Sequence, residues 1–142
     1  MTNKEIKIAY REYETIDGLE AEDKALALAA IEAMKSAYAP YSGFNVGAAV
    51  MFEDGEIVKG ANQENAAYPS GLCAERTVIF YASAAYPGVK FKKLAIAAYT
   101  DGDFVEEPVS PCIKTSIIGK STIAYAIICV FSFEKSVLMP PR

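Results

Sequence analysis

Between Asp23 and Tyr38 apolar residues return every three or four positions, at Leu26, Ala29, Ala30, Ala33, Met34 and Ala37. That spacing draws a stripe along one side of an Ala-rich helix. Pro40 disfavours helix at the residue before it, and Ser42-Gly43 supplies a turn. Beyond the turn the period changes. Val46 to Phe52 is an apolar run and Glu56 to Gly60 alternates, with Glu53-Asp54-Gly55 between them as the signal of a tight antiparallel hairpin. A polar loop from Asn62 to Gly71 leads into a second helix over Cys73 to Ala85. There Val78, Ile79, Ala82 and Ala85 share a face, and Pro87-Gly88 ends the helix. Leu94 to Tyr99 reads as a buried strand. After a long loop from Thr100 to Pro111, Thr115 to Ile118 and Ile123 to Phe131 are strand-like, and a short strand is expected over Lys4 to Tyr10. A helix, a hairpin, a helix and further strands predict an α/β fold, with a mixed sheet and helices packed over it.

The 142 residues suit one domain, since a chain of this length buries roughly 70% of its unfolded surface. With 52% hydrophobic residues and 23% charged ones the chain is not disordered. The net charge of −4 argues against a polyanion partner, because affinity for nucleic acid comes largely from Lys and Arg on phosphates. Histidine is absent, which removes His-based triads, dyads and metal sites. Cys73, Cys112 and Cys129 make an odd number for a disulfide framework and suit reduced thiols. Charged residues interrupt Met1 to Tyr13, so a signal peptide is not expected there. The longest apolar run is too short to span a membrane. The expectation is a soluble, cytoplasmic protein without membrane or nucleic-acid partners.

The candidate chemistry gathers where the second helix begins. An N-terminal position favours the thiolate of Cys73, the form that binds metal, and Glu75 follows in the same turn. A lone Cys-x-Glu is equally compatible with a small buried thiol beside a solvated carboxylate. A second cysteine, in Pro111-Cys112, stands 39 positions after Cys73.

Four segments together resemble the cytidine deaminase family, in its small homotetrameric branch with a zinc site of three cysteines. They are Tyr38-Ala39-Pro40-Tyr41-Ser42-Gly43-Phe44-Asn45-Val46-Gly47-Ala48-Ala49, Gly60-Ala61-Asn62-Gln63-Glu64-Asn65-Ala66-Ala67-Tyr68-Pro69, Cys73-Ala74-Glu75-Arg76 and Pro108-Val109-Ser110-Pro111-Cys112. The resemblance implies a three-layer α/β/α sandwich and zinc-dependent hydrolytic deamination of cytidine and deoxycytidine in pyrimidine salvage. It implies Cys73 and Cys112 as Zn²⁺ thiolates, Glu75 as proton shuttle, Asn62 and Glu64 as ribose-binding residues and Phe44 as the pocket aromatic. For Phe44 a plain core role stands beside this reading. Arg76 would temper the charge of the thiolates, or else form a surface ion pair. The resemblance also implies a homotetramer with pockets shared between subunits.

At Cys112 the chain leaves the pattern. The family continues Pro-Cys-Gly-Ala-Cys, the second cysteine being the third zinc ligand, whereas Ile113-Lys114-Thr115 follow here. Cys129 sits in an apolar run that suits an inert thiol. The expected organisation is one domain over 1–142, lacking the segment that carries the third ligand. Two alternatives remain: deamination of another aminopyrimidine nucleoside such as a nucleoside antibiotic, and an inactive relative that keeps only the fold.

Overall fold

The computed structural model describes Arg11, Tyr13, residues 15–100 and residues 127–132. The expected strands at Lys4 to Tyr10 and Thr115 to Ile118, and Cys112 itself, lie outside the described residues.

Helix α1 spans Ala21–Ala33 and tightens into a 3-10 turn over Met34–Ser36. The apolar stripe alone extends the helix to Tyr38, but Ala37 is extended. The Tyr38 amide donates to the Asn62 carbonyl at 2.9 Å, and the Tyr38 carbonyl accepts from the Glu64 amide at 2.8 Å. These non-local bonds replace the helical ones that the same groups would otherwise make.

Strand β1, Phe44–Phe52, and strand β2, Ile57–Ala61, form the expected hairpin. The Asp54 carboxylate accepts from the Glu56 amide at 3.0 Å, and Gly55 has φ of +91°, a conformation that favours glycine. Helix α2, Ala74–Ala85, starts from Cys73 in an extended conformation and ends before the Pro87-Gly88 turn. Strands β3, Phe91–Thr100, and β4, Ile127–Ser132, complete a sheet in the order β2-β1-β3-β4. Each pairing between these four strands is antiparallel. A parallel pairing, which would make the sheet mixed as expected, is not among them.

Alternation along β1 sends its side chains to two cores, as the strand period requires. Val46, Ala48, Val50 and Phe52 pack with Val58, Leu94, Ile96 and the α2 residues Ala74, Val78 and Ala82. Ala49 and Met51 pack with Ala95, Ala97 and the α1 residues Leu26 and Ala30. The sheet thus lies between one helix on each face, the three-layer α/β/α arrangement expected from the sequence.

Candidate active site

Three chain segments converge beside the α2 face: the start of β1, the chain leaving β2, and the first turn of α2. Between them is a cavity of about 1060 Å³ whose lining includes Phe44, Asn62, Glu64, Cys73 and Glu75. Five of the six residues expected to act as proton shuttle, substrate-binding residue or metal ligand therefore face one space. The sixth, Cys112, lies outside the described residues.

Asn62 continues the β2 edge with its side chain. Its Oδ1 accepts from the Val46 amide and its Nδ2 donates to the Phe44 carbonyl, both at 2.9 Å. The amide is thereby fixed in orientation, and each of its polar atoms keeps capacity for one further bond. Two residues on, Glu64 turns back to the 41–42 turn. Its Oε2 accepts from the amides of Tyr41 at 2.8 Å and Ser42 at 3.3 Å, while its Oε1 accepts from the Ser42 hydroxyl. The Ser42 hydroxyl, followed by the two backbone amides, holds the Glu64 carboxyl below the usual carboxylate range, against an opposing desolvation. Phe44 is half-buried and meets both readings, because it packs against the core cluster and also lines the cavity.

Glu75 is 3% exposed and is the one charged residue buried in this way among the described residues. It sits in the first turn of α2, where unpaired amides and the helix dipole favour negative charge. Helix α2 can lie this close to the hairpin because Gly60 has no side chain: a Cβ there would come within 2.8 Å of the Val78 amide nitrogen. Arg76 is exposed, lines the cavity, and carries its guanidinium 5.5 Å from the Phe80 ring centroid. At the surface the guanidinium thus makes a cation–π contact with Phe80.

Cys73 is half-buried at the head of α2 and provides a soft donor of the kind zinc takes. Among the described residues no group of three or more His, Cys, Asp or Glu side chains is placed to hold a metal ion. The described part of the site offers one soft donor, Cys73, with the Glu75 carboxylate beside it. Sequence reasoning missed the Ser42 contact with Glu64. The available signal was Ser42-Gly43, read only as a turn; Gly43, with φ of +67°, gives the turn its geometry.

The three-layer α/β/α fold thus sets a thiol and a buried carboxylate together at the start of one helix. Residues 20–130 match the family model described as the cytidine and deoxycytidylate deaminase zinc-binding region, and the chain belongs to that family. It is 51% identical over 82 residues to a cytidine deaminase of Sporosarcina psychrophila, covering 57% of this chain and 55% of that protein. It is 34% identical over 103 residues to a probable cytidine deaminase of Dictyostelium discoideum, covering 72% and 66%. Among solved structures, cytidine deaminase from Burkholderia pseudomallei aligns with a TM-score of 0.57 and 37% identity, covering 76% of this chain and 90% of that one. The chain spans a little over half the length of its Sporosarcina and Halalkalibacterium halodurans relatives, 55% and 58%. No described helix is long and apolar enough to cross a membrane.

Proposed function

We propose that this protein hydrolyses the exocyclic amine of cytidine and deoxycytidine, consuming water and releasing ammonia with uridine or deoxyuridine. The observation that carries this reading is the buried carboxylate of Glu75 beside Cys73, in a cavity of a size suited to a small-molecule ligand, within a chain of the deaminase family. Cys73 and Cys112 would hold zinc, whose Lewis acidity makes a water nucleophilic near neutral pH. The Glu75 carboxylate would serve as the proton carrier, accepting a proton from the attacking water and delivering protons to the pyrimidine ring and the departing amine. Its burial keeps bulk water from competing for those protons. Asn62 and Glu64 offer an amide and a carboxylate to the sugar hydroxyls, and Phe44 offers an aromatic wall to the base. The assignment to the three-cysteine branch, the homotetramer, the cytoplasmic location and the role in pyrimidine salvage belong to the same proposal.

Purified protein is expected to contain zinc and to convert cytidine to uridine, followed by ultraviolet absorbance. Cys73→Ala should lose the metal and, with it, both activity and stability, because a ligand's binding energy also supports the fold. Activity on an aminopyrimidine nucleoside antibiotic without loss of cytidine would reassign the substrate. The run Cys112-Ile113-Lys114-Thr115 favours one further reading, an inactive relative. Protein devoid of zinc and inert towards every aminopyrimidine nucleoside would establish it.

A further inference from the structure

The Ser42 hydroxyl joins two of the residues placed at the cavity. It donates to Glu64 Oε1 and accepts from the Phe44 amide at 3.0 Å. The turn around it is closed by the Gly43 amide on the Ala39 carbonyl at 3.0 Å and shaped by the positive φ of Gly43. Ser42 and Glu64 are 22 residues apart, so the contact is tertiary and the turn itself does not require it. The three bonds from the turn leave the Glu64 carboxylate one free acceptor position, directed by the others. A carboxylate so held is oriented before any ligand arrives, which lowers the ordering cost of binding.

Resting on the nucleoside reading above, we infer that Ser42 is a positioning residue for sugar recognition, its hydroxyl fixing the Glu64 carboxylate against the start of β1 so that it accepts a secondary hydroxyl of the nucleoside sugar. Ser42 acts through Glu64 and does not itself touch the reacting atoms. Its removal should weaken ground-state binding of the sugar more than it slows chemistry at the base.

The test compares Ser42→Ala and Ser42→Thr with the parent, using KM and kcat for cytidine and calorimetric binding of uridine, which requires no turnover. Loss of a hydrogen bond to a charged group predicts a rise of roughly tenfold in KM and in the uridine dissociation constant for Ser42→Ala, with kcat within about twofold. Ser42→Thr, which keeps the hydroxyl, should restore both. For the dideoxy analogue lacking the secondary sugar hydroxyls, the Ser42→Ala penalty should vanish. An active parent whose KM and uridine affinity are unchanged in Ser42→Ala overturns this inference alone. So does an equal penalty on the dideoxy analogue, which would mean that the turn shapes the cavity without acting through Glu64. A parent that neither binds nor deaminates these nucleosides overturns both this inference and the proposed function.

Discussion

The two faces of β1 are packed to opposite ends. Towards α1 the strand presents Ala49, Met51 and the bare backbone of Gly47, and the helix comes so near that a Cβ on Gly47 would lie 2.1 Å from the Ala30 carbonyl oxygen. Nothing on α1 lines the cavity. That helix is also tied by charge, Glu22 pairing with Lys92 and Lys93 and Asp23 with Lys93. Towards α2 the strand presents larger side chains, Val46, Val50 and Phe52. There the core is filled beneath the helix from Ala74 to Ala82, and beside its first turn Cys73, Glu75 and Arg76 meet the cavity. A face packed along its whole length can only stabilise, whereas a helix that begins at the edge of its core sets a polar terminus beside a pocket.

The most severe way to break the comparison is at Glu75. As a proton shuttle its loss should cost on the order of 10²–10⁴-fold in turnover or more. Glu75→Gln is nearly isosteric, so zinc content and thermal midpoint should stay close to the parent. Turnover within about threefold of the parent would remove the catalytic role from this face.

The two close-approach glycines sharpen the contrast. Gly60→Ala presses on α2 at the Val78 amide, and Gly47→Ala presses on α1 at the Ala30 carbonyl. Gly60→Ala should shift the first turn of α2 and lower turnover by roughly tenfold or more, as small misplacements of catalytic groups do. Gly47→Ala should cost about 1–3 kcal/mol of stability, as overpacking does, with much of the activity retained in the folded fraction. Denaturant midpoints and kcat measured on both variants check this. Equal losses of activity would show that the two faces are mechanically coupled.

The smallest effect is expected on the ionic side of α1. Hydrogen bonds from Lys92, then from Lys93, bring the Glu22 carboxyl down to about 2. Its folded value is therefore depressed below its ordinary value of 4.5. The stabilisation is complete above that value and is lost as the pH falls towards about 2. Glu22→Gln should flatten the thermal midpoint against pH across that acid window, with a modest change near neutrality because the pair is partly exposed. An unaltered acid slope would show that these charges do not hold the α1 face.

Legibility in the sequence follows the range of the interaction. The β1–β2 hairpin was readable because Asp54-Gly55 encodes its own turn, and α2 because its stripe and the Pro87-Gly88 stop are contiguous. The motif segments placed Phe44, Asn62, Glu64, Cys73 and Glu75 as candidates, and all five line one cavity. The end of α1 was misjudged because the Tyr38 backbone is claimed by Asn62 and Glu64, residues that no helical period can anticipate. The choice between core and pocket for Phe44 was not decidable either, since an aromatic at the head of a strand can do both until its neighbours are known.

By itself the sequence determined the helices, the hairpin, the family to which the chain belongs and the chemistry available to it, because turn residues, hydrophobic period and motif order are local properties. Only the tertiary structure decided that Glu75 is buried while Arg76 beside it stays at the surface over Phe80, that Ser42 and Tyr41 hold Glu64, and that Lys92 meets Glu22 and Lys93 meets Asp23, each across 70 residues of chain. Those contacts depend on strand order and on how closely each helix approaches the sheet. Both are set by packing between distant segments, which the alternation of polar and apolar residues along one segment does not encode.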